Sequence, residues 1–139
     1  MIRSDLGHCR SLLSQLGYEM NTAELEHRFG EVAGVPEHSA LVAEMAGRVV
    51  GLMHVFARPA LENPREAVVQ SIVVDAALRR RGVGRELMKA VENWGRDRGC
   101  RSVVLSSNTA RALAHAFYAA LGYRVSATSL VLRKELARR

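Results

Sequence analysis

The junction between a β-branched apolar run and a glycine-opened amphipathic helix restricts the fold of this chain more than any other feature. Ala67 to Val74 (AVVQSIVV) is apolar and β-branched enough to form a buried strand. Asp75 to Arg81 is a polar break. Gly82-Val83-Gly84 then opens a helix that runs to about Arg98, with Val83, Leu87, Val91 and Trp94 along one stripe. Gly99 stands where such a helix ends, and Arg101 to Ser106 (RSVVLS) reads as the next strand. A strand–helix–strand unit of this kind is expected to pair its strands in parallel through a right-handed crossover.

The flanking sequence fills in the rest of an α/β domain. Leu6, Cys9, Leu12, Leu13 and Leu16 share one helical face, and Gly17 follows as a stop. Asn21 or Thr22 offers a cap for a second helix carrying Leu25, Phe29, Val32 and Ala33. Ser39 to Met45 and Val49 to Phe56 read as two strands of a hairpin turned at Ala46-Gly47-Arg48. After the parallel unit, Asn108 or Thr109 is expected to cap a helix facing inward through Ala110, Leu113, Ala114, Phe117 and Leu121. Gly122 closes it, and Tyr123 to Lys134 reads as one or two closing strands. The expected architecture is a mixed, mostly antiparallel sheet with a parallel β-α-β unit and helices on both faces. Residues 1–139 are expected to form a single domain.

Composition excludes several classes. With 48% hydrophobic and 24% charged residues the chain is neither disordered nor a disulfide scaffold. No apolar run approaches a membrane span, and the N-terminus lacks an apolar signal core, so a cytoplasmic location is expected. Cys9 and Cys100 stand alone, and the five histidines show no zinc spacing, so no metal site is expected. Charge is divided along the chain. Residues 1–78 hold 6 basic and 10 acidic residues, residues 79–139 hold 14 and 4, so a net −4 precedes a net +10. A basic half fits an anionic ligand. Aromatics are only 5% and no stacking motif is present, which argues against nucleic acid as the partner.

The basic half contains Arg79-Arg80-Arg81-Gly82-Val83-Gly84 at a strand-to-helix junction. A helix N-terminus offers free N–H groups and partial positive charge. Glycines let a phosphate approach the backbone, and arginines add charge-assisted contacts. A P-loop is excluded because no G-K-S or G-K-T occurs, and a dinucleotide fingerprint fails because Leu87 stands at its third glycine position.

Val74 to Gly84, with Arg79, Gly82 and Gly84 in the marked positions, resembles the V-x4-(Q/R)-x2-G-x-(G/A) acetyl-CoA signature of the GNAT N-acetyltransferases. Asn108, then Ala114-His115-Ala116-Phe117-Tyr118, then Leu121-Gly122-Tyr123, is similar to a second segment of that family. The resemblance implies an acetyl-CoA-dependent transfer to a primary amine of a small molecule, by direct attack in a ternary complex. It implies that Ile72, Val73 and Val74 pair with the pantetheine arm, with a bulge there offering an N–H to the thioester carbonyl. It further implies that Arg79, Arg80, Arg81, Gly82, Val83, Gly84 and Arg85 hold the pyrophosphate and that Asn108 touches the pantetheine or its thiol end. Phe117 is expected to pack in the core, with a place along the cofactor channel as the alternative. Tyr118 would protonate the departing thiolate. A homodimer is expected on the same ground. Acetylation of a protein lysine or N-terminus, and a non-catalytic acyl-CoA-binding module, are the alternative readings.

The general base is left open. Some relatives carry a glutamate on the strand before the signature, but here that stretch reads Val68-Val69-Gln70-Ser71. His54, Glu66, Glu62 and His115 are candidates, as is a water relay ending at Gln70 or Ser71. Asp5, Glu19, Glu24, Glu26 and Glu31, against Arg10 and Arg28, would suit a cationic amine on the side of the first two helices. The short closing segment is somewhat similar to that of enzymes acting on aminoalkylphosphonates. Aminoglycoside acetyltransferases share the motif style.

Overall fold

A computed structural model of the protein describes residues 1–138. The chain divides into two compact units, Met1–Ser106 and Ser107–Arg139.

The first unit carries helices α1 (Leu6–Gln15), α2 (Thr22–Ala33) and α3 (Val83–Asp97) and strands β1 (His38–Met45), β2 (Arg48–Arg58), β3 (Glu66–Val74) and β4 (Ser102–Leu105). The strands lie in sequence order, with β1–β2 and β2–β3 antiparallel and β3–β4 parallel. This is the expected mixed sheet, and each element falls close to its predicted span.

Local chemistry explains the boundaries. Asn21 caps α2 by accepting the Glu24 N–H at 2.8 Å, while the Glu24 carboxylate accepts the Asn21 N–H at 3.3 Å. α1 ends where Gly17 takes φ +104° and Tyr18 donates back to the Leu13 carbonyl at 2.9 Å. The β1–β2 hairpin turns on Ala46 (φ +51°) and Gly47 (φ +77°), the left-handed pair that a two-residue loop requires. Before α1 only a single 3-10 turn, Arg3–Asp5, is present, and the Met1 ammonium donates to the Ala40 carbonyl at 3.1 Å.

Helices cover both faces of the sheet. On one, Leu6, Cys9 and Leu12 of α1 and Leu25 of α2 pack with Val49, Leu52 and Val73. Val49 and Leu52 share this face despite their odd spacing because the β1–β2 register shifts beside Val50. On the other face α3 buries Val83, Leu87, Met88, Val91, Trp94 and Gly95. Its approach is close enough that Gly51 and Gly95 have no room for a side chain. A Cβ on Gly51 would lie 3.0 Å from Leu87 Cδ1, and one on Gly95 would lie 3.1 Å from Ala67 Cβ.

The second unit carries α4 (Ala112–Ala120), closed by Gly122 at φ +92°. It departs from expectation in three respects. The helix starts at Ala112, because the Asn108 carboxamide accepts the Ala110 N–H at 2.9 Å and turns the chain locally before any helix begins. Leu113, expected inward, is 82% exposed. Residues 123–138 form no strand. A strand needs a neighbour for its N–H and C=O groups, and no strand pairs with this segment among the described residues. Its Val125, Leu130, Val131, Leu132 and Leu136 are all at least 85% exposed.

Candidate active site

The parallel pairing of β3 with β4 is short. It runs from Glu66 opposite Ser102 to Val69 opposite Leu105 and stops. Beyond it, the edge of Gln70–Val74 that faces away from β2 meets no strand among the described residues. The divergence coincides with a bulge. His54 pairs with Ser71 and Val55 with Val69, leaving Gln70 as the extra residue. The bulge therefore lies upstream of Ile72–Val74, where it was expected. A free strand edge of this kind presents alternating donors and acceptors to an amide-bearing ligand.

Immediately downstream the chain makes a tight, arginine-rich turn. Arg80 (φ +67°) and Gly82 (φ +82°) are both left-handed, which folds the backbone back on itself before α3. Gly82 caps α3 without a side-chain acceptor, and the first bond of the helix runs from the Glu86 N–H to the Gly82 carbonyl. The N–H groups of Val83, Gly84 and Arg85 are thus left for an outside acceptor. Arg79, Arg80, Arg81 and Arg85 are largely solvent-exposed. Among the described residues none of the four forms an ion pair. Unpaired guanidinium groups beside open N–H groups fit a polyanion.

Residues that the sequence reading passed over hold this turn in place. Asp75, 8% exposed, accepts the Ala77 N–H at 3.1 Å, and its other oxygen meets Arg48 at 3.4 Å. Gln15, at the end of α1, accepts the Ala76 N–H at 2.8 Å and donates to Asp75 at 3.5 Å. The Asp75 N–H reaches the Val50 carbonyl at 2.8 Å. One sequence signal existed for this: a single acid between an apolar strand and an arginine run.

Asn108, Phe117 and Tyr118 belong to the second unit. The Asn108 side-chain oxygen is engaged by Ala110, and its carbonyl oxygen lies 2.9 Å from His115 Nε2. His115 is thereby given a structural partner. The Tyr118 ring is half-buried, edge-on to Phe117 at 5.1 Å and to Tyr123 at 6.2 Å. Burial pushes its phenol above the ordinary 10, outweighing the downward pull of Arg111.

Other candidates have prior engagements. Glu66 pairs with Arg58 at 2.8 Å. Glu62 sits on an exposed loop. The acids of the first two helices all have partners within the chain: Asp5 with the Ile2 N–H, Glu19 with Ser14, Glu24 with Asn21, Glu26 with Arg3, and Glu31 with His27. Cys9 is fully buried and its thiol is pushed up to about 11, chiefly by burial, which removes it as a nucleophile.

The acetyltransferase (GNAT) family profile matches residues 8–123, which include the free β3 edge and the arginine turn. The chain belongs to the GNAT acetyltransferase family. It is 27% identical over 139 residues to an aminoglycoside N(6')-acetyltransferase type 1 of Salmonella typhimurium, covering 96% of this chain and 95% of that one. It is 31% identical over 122 residues to the glucosamine 6-phosphate N-acetyltransferase of Trypanosoma brucei brucei, covering 86% and 78% respectively. Its fold superposes with a TM-score of 0.86, at 23% identity and over 98% of this chain and 95% of the other, on an aminoglycoside acetyltransferase in complex with the bisubstrate analogue CoA-S-monomethyl-acetylneamine. GNAT acetyltransferases are acyltransferases that use acetyl-CoA as cosubstrate. The open strand edge and the uncapped, arginine-flanked helix start of this chain fit its amide-bearing arm and its phosphates.

Proposed function

We propose that this GNAT acetyltransferase transfers the acetyl group of acetyl-CoA to a primary amine of a small, amino-sugar-like molecule by direct attack in a ternary complex. The observation that carries the reading is the free edge of Gln70–Val74 leading into an α3 N-terminus with no side-chain cap. The small-molecule acceptor is supported by relatives named for aminoglycoside and glucosamine 6-phosphate.

In this reading acetyl-CoA supplies a thioester carbonyl to the incoming amine. Ile72, Val73 and Val74 orient the pantetheine arm through their backbone groups. Arg79 to Arg85 neutralise the pyrophosphate. A backbone N–H at the bulged stretch of β3 stabilises the oxyanion that develops on attack. Asn108 and Phe117 line the cofactor channel, and Tyr118 donates its proton to the departing thiolate. Its raised pKa keeps the phenol protonated through neutral pH. Buried, protonated Cys9 is consistent with a route that forms no acetyl-enzyme.

Both units act as one acetyltransferase domain, a reading supported by a family match that runs through their boundary. The protein works as a homodimer in the cytoplasm. The exposed apolar side chains of Val125 and of Leu130 to Leu132 support the first, and two unpaired cysteines support the second. Free-thiol release from acetyl-CoA tests the activity, measured with neamine, glucosamine 6-phosphate, spermidine and a lysine peptide. Turnover with an amino sugar, reduced about 10- to 1,000-fold in Tyr118→Phe, is expected. Turnover confined to the peptide would replace the small-molecule reading, and binding of acetyl-CoA without turnover would replace the enzyme.

A further inference from the structure

Two histidines on adjacent strands make a direct contact on the β2 side of β3, across that strand from its free edge. His38 Nδ1 of β1 lies 2.9 Å from His54 Nε2 of β2. The Phe56 ring stacks on His38 at 4.9 Å between centroids and an interplanar angle of 11°. All three side chains are only partly buried. An N···N contact this short needs one ring to donate and the other to accept, so at least one imidazole is neutral. His54 is the register partner of Ser71, next to the bulged Gln70 and just past the point where β3 and β4 part. Neighbouring strands lie about 4.8 Å apart, which places His54 one strand from the start of the free edge.

We infer that His54, relayed through His38, is the general base that removes the proton from the acceptor ammonium. The inference rests on the acetyltransferase reading given above. The substrate N–H bond breaks and its electron pair stays on nitrogen, ready for attack. The proton goes to the far ring nitrogen of His54. His54 Nε2–H passes its own proton to His38 Nδ1, and His38 releases one from Nε2 to solvent. No net charge is left on either ring.

The surroundings favour a neutral His54. Burial first, and then the neighbouring His38, lower its pKa below the ordinary 6.5. Along β2 the next charge on that face is Arg58, neutralised by Glu66 of β3 at 2.8 Å. β3 presents Ser71 opposite His54, and the Met1 ammonium sits on the carbonyl of Ala40, the β1 partner of His54. The helices on that face turn apolar side chains and the protonated Cys9 thiol toward the sheet.

The test is the pH dependence of kcat and kcat/KM for neamine and glucosamine 6-phosphate, between about pH 5 and 9. It is run on the wild type, His54→Gln and His38→Gln, with acetyl-CoA affinity measured by calorimetry. The expected result has three parts. The wild type shows an acidic limb below 6.5. His54→Gln loses about 100- to 1,000-fold in kcat together with that limb, at unchanged acetyl-CoA affinity. In His38→Gln the limb moves and kcat falls about tenfold. An active wild type whose limb persists in His54→Gln, with kcat within about threefold, overturns the relay alone. If His54→Gln does not fold, an unmoved limb in His38→Gln overturns it. Absence of wild-type turnover on every amine sinks the enzyme reading, and the relay with it.

Discussion

Gln15 accepts the Ala76 backbone N–H at 2.8 Å, joining the last turn of α1 to the second residue after β3. The bond spans 61 residues and fixes the entry of the arginine turn against a helix from the other end of the unit. Asp75, held by the same glutamine and by Arg48, completes the clamp.

Gln15→Ala is expected to leave the Ala76 N–H without its partner and to lower stability by about 1 kcal/mol. Its larger effect should fall on acetyl-CoA, with KM raised several-fold and kcat little changed. Steady-state kinetics with acetyl-CoA as the varied substrate checks this, and an unchanged KM would show that the turn is held without the glutamine.

Gly51→Ala places a methyl group 3.0 Å from Leu87 Cδ1 and 3.1 Å from Val83 Cγ1. Overpacking of this kind costs about 1–3 kcal/mol. Because Val83 is the first residue of α3, relief of the clash moves the helix start that is proposed to hold the pyrophosphate. A lowered Tm with weakened acetyl-CoA binding is expected from thermal unfolding and calorimetry.

Cys9 should resist alkylation in the folded protein. Its thiol is pushed up to about 11, so the thiolate is scarce at neutral pH, and the side chain has no solvent exposure. Iodoacetamide labelling followed by peptide mass mapping should modify Cys9 only after denaturant is added.

Acid should weaken the fold through His54. Its native pKa lies below the ordinary 6.5, so on acidification the unfolded chain takes up the proton first. Stability falls as pH drops through 6.5 and levels off below the native pKa. In His54→Gln the loss of Tm between neutral and mildly acid buffer should be smaller than in the wild type, as differential scanning fluorimetry would show.

The elements of the first unit were legible because their signals are local and mutually consistent. The α3 stripe, the β-branched run of β3 and the Ala46-Gly47 turn each name one conformation. The register was not legible. Nothing in Val69-Gln70-Ser71 alone says that β3 carries an extra residue there, since a bulge is a relation between two strands. For the same reason the contact between His38 and His54 had no sequence signature at a separation of 16 residues. The clamp of Gln15 on Ala76 joins residues that no periodicity connects. The closing segment failed differently. Tyr123 to Lys134 reads as one or two strands on its own, yet a strand is a property of a pair, and nothing in that stretch names its partner.

Trp94 is the chain's one tryptophan, buried to 8% exposure with the Arg98 guanidinium 4.1 Å above its ring. Its indole N–H has no acceptor among the described residues. The first unit therefore carries its own optical reporter, and the second contributes none of that signal. Emission excited in the indole band originates in the first unit and will follow the loosening of α3 from the sheet. Set beside a probe that sees the whole backbone, that single fluorophore would reveal whether the two units melt together or in turn.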